Sequence, residues 1–155
     1  MKSVVGMVLG VVIAGGAAGS AAAFKFAPPS TGFSSTGSIA FTAPSGGAYE
    51  CKVKVRGRTS KTGTARIMHV SFIPGASSCA NTAAAGLPWH VKAASATAGV
   101  ITNAAIITPF GNCGAGPLPI MVSGGGMWSF NAPLPPSCAN VSGSLMTAPP
   151  IVIVP

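Results

Sequence analysis

From Tyr49 to Arg58 the chain alternates strictly. Tyr49, Cys51, Val53 and Val55 fall on one face, and Glu50, Lys52, Lys54, Arg56 and Arg58 on or near the other. A period of two with one apolar and one charged face predicts a half-buried antiparallel strand. Thr59–Gly63 reads as its hairpin turn and Thr64–Ile73 as the returning partner. Shorter runs of the same kind predict strands at Ser38–Thr42, Trp89–Ala93, Val100–Thr108, Leu118–Val122, Met127–Phe130, Val141–Thr147 and Ile151–Val154. Ser123–Gly126 is a flexible hairpin turn. Pro133–Pro136 reads as a polyproline-like loop and Pro74–Gly86 as a loop. Phe24–Phe33 reads as an exposed leader strand or arm in which Pro28 and Pro29 prevent helix. Phe72, Trp89, Trp128 and Phe130 are expected to fill the core. Phe24, Phe26, Phe33 and Ile151–Val154 are expected to stay partly exposed, as strand edges or an apolar patch.

One unit occurs twice, from Cys51 to Cys79 and from Cys113 to Cys138. Each copy is a cysteine, an extended segment, a turn, a second extended segment ending in Ser-Phe, a proline, and a closing Ser-Cys. The four cysteines allow three pairings, and the repeat favours 51–79 with 113–138. Gly37-Ser38-Ile39 before the first unit matches Gly99-Val100-Ile101 before the second. The match suggests a duplicated module over about 37–92 and 99–155. The expected fold is all-β: a two-sheet antiparallel sandwich or barrel of about eight to ten strands.

The N-terminus reads differently. Lys2 precedes the apolar run Val4–Ala14, and small residues lead to Ala21-Ala22-Ala23. This is the pattern of a signal peptide over 1–23, cleaved before Phe24. The run is too short and glycine-rich for a spanning helix, so no transmembrane segment is expected in the mature chain. Residues 24–155 then form a single domain of a bacterial protein that is secreted, extracellular or at the outer cell surface, with the periplasm as the other destination. Paired cysteines suit such a compartment.

Charge narrows the chemistry. The chain has nine Lys and Arg, one acidic residue and a formal net charge of +8. Lys52, Lys54, Arg56, Arg58, Lys61 and Arg66 gather on the hairpin as a candidate anion-binding face, suited to lipopolysaccharide, an acidic polysaccharide, phospholipid head groups or extracellular DNA. The same face also serves solubility. No aromatic residue is interleaved with it, so no specific nucleic-acid partner is expected. With Glu50 as the only carboxylate side chain, a Ser-His-Asp triad and a paired-carboxylate hydrolase have no residues to use. There is no CxxC, and neither His69 nor His90 stands at metal-ligand spacing from a cysteine. Gly124–Gly126 lacks the lysine and helix of a phosphate loop. No enzyme, cofactor or metal is expected.

The segments Pro29–Ile39, Thr62–Ala65, Ser77–Cys79, Gly86–Trp89, Gly111–Gly114, Leu134–Cys138 and Ser142–Pro155, with the strand into Cys51, carry a resemblance in order along the mature chain. Gly86-Leu87-Pro88-Trp89 and the four cysteines are its most specific part. They resemble the bacterial alkane oxidation protein activator PraB family. The resemblance implies a small extracellular protein that promotes growth on long-chain alkanes by helping to emulsify or capture hydrocarbon. It carries over no catalytic or binding residue. The basic hairpin departs from the Thr- and Ser-rich character of such proteins at that place. Three functions are therefore expected in competition: amphiphilic adsorption at oil–water or cell surfaces, a biofilm or filament subunit self-assembling through edge strands, and a polyanion-binding module.

Overall fold

The computed structural model describes residues 23–155. Apart from Ala23, the signal-peptide segment lies outside the described residues. Eight antiparallel strands follow one another as a meander: β2 (Gly32–Thr42), β3 (Ala48–Thr59), β4 (Ala65–Phe72), β6 (Trp89–Ala93), β7 (Ala98–Thr108), β8 (Gly111–Val122), β9 (Met127–Leu134) and β10 (Cys138–Ala148). Each pairs with its neighbour, and β10 returns to β2 over nine register pairs from Asn140↔Thr42 to Ala148↔Ser34, so the sheet closes into a barrel. Between the two architectures expected from the alternation, the chain takes the barrel. The β4–β6 connection carries the short helix α1 (Ser77–Ala80) and β5 (Ala83–Ala84), which pairs on β7.

The barrel interior follows from the alternation. Ile39, Val53, Val55, Ile67, Val91, Ile101, Leu118, Ile120, Phe130, Val141 and Leu145 point inward and are buried. The closing pair is drawn tight by two inward glycines. A Cβ on Gly37 would run into the Ser144 carbonyl oxygen, and one on Gly143 into that of Ser38. Only glycine allows backbones to approach so closely.

The two ends are closed by different means. At one end β1 (Lys25–Ala27) and β11 (Val152–Val154) pair as a two-stranded ribbon that caps the barrel. Phe26 and Phe33 pack on Trp128 with ring centroids 5.4 and 5.5 Å apart. The Trp128 indole N–H donates to the Ile151 carbonyl at 3.0 Å. The Ile151 N–H donates to Thr147 Oγ1, which itself donates to the Gly126 carbonyl. The leader and the C-terminal run are therefore corrected in part: Phe26, Phe33, Ile151 and Ile153 are buried, whereas Val152 is half-buried and Phe24 and Val154 are exposed. Proline stops these short runs from extending, but their apolar side chains reach the open mouth of the barrel.

At the other end lie the disulfides Cys51–Cys79 and Cys113–Cys138, the pairing that the repeat favours. An aromatic cluster accompanies them. Tyr49 stacks on Phe41 at 5.0 Å and meets the edge of Phe110 at 5.4 Å, with its hydroxyl bonded to Thr82. Burial pushes the Tyr49 phenol up from its ordinary pKa.

Pro133 and Leu134 belong to β9 and are not in a loop. The strand around Ser38–Thr42 extends back to Gly32, and that at Leu118–Val122 back to Gly111.

Candidate functional site

The interior offers no room for a ligand. A cavity remains among Ile39, Val55, Ile67, Trp89, Leu118 and Phe130, and its volume is about 20 Å³. Small-molecule sites run from roughly 300 Å³ upward. Any partner must meet the outside of this barrel.

The outside is divided by strand order. Outward residues of β3 are Glu50, Lys52, Lys54, Arg56 and Arg58. Arg66 on β4 is the register partner of Arg58, and His69 that of Arg56. His90 on β6 is the partner of Arg66, and Lys92 follows it outward. Lys61 lies in the β3–β4 turn. The six residues of the basic hairpin thus share one wall, extended by His69, His90 and Lys92. β2, β10, β9, β8 and β7, contiguous around the barrel, contain no charged residue. The β8–β9 seam stands diametrically opposite the β3–β4 hairpin in the closed order.

That seam is partly unzipped. β7 and β8 share nine register pairs, from Ala98↔Met121 to Thr108↔Gly111. β8 and β9 share only Met121↔Ser129 and Val122↔Trp128, with an isolated bridge at Cys113↔Pro136. The cause is chemical. The Val122 N–H donates to Thr97 toward β7, so by alternation Pro119 and Pro117 direct their backbones toward β9. Met127 and Pro135 carbonyls accept from Ser123 and Gly114, so Pro133 and Pro135 direct theirs toward β8. Each of the four prolines removes a donor from the same ladder. Two Pro-Leu-Pro segments, 117–119 and 133–135, bury Leu118 and Leu134 inward and leave the prolines exposed.

The gap opens as two shallow grooves along the seam. One, about 410 Å³, runs past Ala98, Val100, Pro119, Met121, Ser129 and Asn131. The other, about 420 Å³, runs past Ala115, Pro117, Pro119, Ala132, Pro133 and Pro135. Beside them Met127 on β9 faces Met146 on β10 as a register pair, and Met121 lies diagonally across from Met127. All three methionines are about half exposed. The reading of the sequence missed this wall. Its signal was the proline spacing of two, in phase with the strand, repeated on two strands that the hairpin turn at Ser123–Gly126 brings together.

Among the described residues no helix is long and apolar enough to cross a membrane. The two disulfides fit a protein exported to an oxidising compartment. No curated protein and no solved structure matches the chain. A family model matches it over residues 1–155, its full length, and on that match the chain belongs to the alkane oxidation protein activator PraA/PraB-like family.

Proposed function

We propose that the protein is an exported, non-enzymatic accessory factor of alkane oxidation that adsorbs to hydrocarbon through the uncharged wall of its barrel. The observation that carries this reading is the division of the surface. The apolar seam with Met121, Met127 and Met146 stands opposite the cationic hairpin, while the interior is filled. An apolar wall facing a charged one orients a rigid body at an oil–water boundary. Methionine suits such a wall, because its flexible thioether adapts to an irregular apolar partner. The prolines serve the same end. A seam with proline at four positions lacks the regular donor row that strand addition needs, so the apolar surface stays available without recruiting another chain's strand.

Pendant-drop tensiometry at a hexadecane–water interface tests the reading. The wild-type protein is expected to lower interfacial tension. The variant Met121→Ser, Met127→Ser, Met146→Ser is expected to lose most of that effect while keeping its far-ultraviolet circular dichroism, since all three side chains point outward. A wild-type protein that leaves the tension unchanged would end the proposal.

A further inference from the structure

The cationic wall contains a groove of its own. It has a volume of about 480 Å³ at the ribbon-capped end of β3 and β4, and Ser30, Arg58, Ser60, Lys61, Arg66 and Met68 line it. We propose that this groove binds the phosphate groups of an anionic lipid surface.

Charge complementarity is the first support. Arg58 and Arg66 stand directly opposite each other across the β3–β4 ladder, and Lys61 closes the turn between them. Like charges at directly paired positions destabilise a sheet. An anion between them reverses the sign of that cost. Glu50 is eight residues back along β3, roughly 27 Å at the rise of an extended strand, and so does not neutralise the groove. Arg58 has one long hydrogen bond, Nη2 to the Ser30 carbonyl at 3.5 Å, which leaves its other donors available. Guanidinium forks match phosphate oxygens in geometry as well as charge.

Apolar neighbours favour a lipid surface over an acidic polysaccharide. A β-bulge between Arg56 and Gly57 makes Met68 an extra residue on β4, and it stands 51% exposed in the groove lining. The capping ribbon adds Lys25, whose side chain packs against Gly63 of the same turn. Exposed Phe24 precedes Lys25, and exposed Val154 is its register partner. Cations interleaved with exposed apolar side chains are the composition that enters a headgroup layer. This site lies on the wall opposite the apolar seam, so it does not depend on hydrocarbon adsorption. With both walls occupied, the protein would link a hydrocarbon droplet to a phosphate-bearing envelope surface.

Co-sedimentation with vesicles tests the proposal. The protein is expected to bind mixed phosphatidylglycerol–phosphatidylcholine vesicles and not pure phosphatidylcholine vesicles. Arg58→Glu with Arg66→Glu should weaken binding by at least about tenfold, since two cations that attract an anionic surface become two anions that repel it. Arg58→Gln with Arg66→Gln should also weaken it, and because this pair relieves a like-charge contact it should fold at least as stably as wild type. Lowering of hexadecane–water tension should be unchanged in both. Equal binding to neutral vesicles, or binding indifferent to both variant pairs, would overturn the proposal. So would retention by a polyuronate or uptake of inorganic phosphate without any binding to anionic vesicles.

Discussion

Trp128→Ala is expected to cost about 3–5 kcal/mol, the range for truncating a buried large aromatic. Small domains have only about 5–15 kcal/mol in total, so the variant should unfold at a far lower urea concentration. The indole joins the barrel to its cap. It packs on Phe26 from the leader and Phe33 from β2, and its N–H satisfies the buried Ile151 carbonyl before β11. Alanine leaves a cavity and an orphaned acceptor together. Trp128→Phe restores most of the packing and removes only the donor, so it should cost about 1–3 kcal/mol. Denaturant midpoints at unchanged slope measure both. A Trp128→Ala cost below about 1 kcal/mol would mean that the ribbon does not cap the barrel as described.

The second large effect concerns the disulfides. Cys51–Cys79 spans 28 residues and Cys113–Cys138 spans 25. The chain-entropy model therefore gives both nearly the same value, about 3.5 kcal/mol. Their settings differ. Cys51 lies on β3, which pairs continuously with β2 past Cys51 and with β4 from Val53 onward. Cys113 lies on β8, whose ladder to β9 fails between the first hairpin pairs and the bridge at Pro136. The Cys113–Cys138 bond holds the open seam at its far end. Cys113→Ser with Cys138→Ser should thus destabilise more than Cys51→Ser with Cys79→Ser. It should also raise amide exchange selectively on the free edges of β8 and β9. Equal costs, with no selective exchange at the seam, would contradict this account.

The parts of this fold visible in the sequence are those set by local pattern. Strict alternation at Tyr49–Arg58 placed the cations outward, and the repeated cysteine unit favoured the pairing that the structure contains. What escaped notice depends on distant segments. Phe26 and Ile151 are flanked by prolines and look like exposed ends, and only the open barrel mouth gives them somewhere to pack. Pro133–Pro135 resembles a loop because proline cannot join a ladder. Here it continues an extended strand along a side where no ladder forms. Closure of β10 on β2 depends on Gly37 and Gly143, whose lack of a side chain carries no hydrophobic signal. The methionine wall was hidden for a related reason. Met121, Met127 and Met146 stand on three strands, at positions where each alone is an ordinary exposed residue.

Methionine oxidation on the droplet surface tests the central claim most directly. Among the described residues four methionines are exposed: Met121, Met127 and Met146 around the seam, and Met68 on the opposite wall. Hydrogen peroxide converts each accessible thioether to the sulfoxide, and mass spectrometry reads the extent at each site. With hexadecane droplets present, Met121, Met127 and Met146 should be protected and Met68 should remain as reactive as in solution. Equal oxidation at all four sites with and without droplets, or protection of Met68 in place of the other three, would contradict the orientation of the barrel.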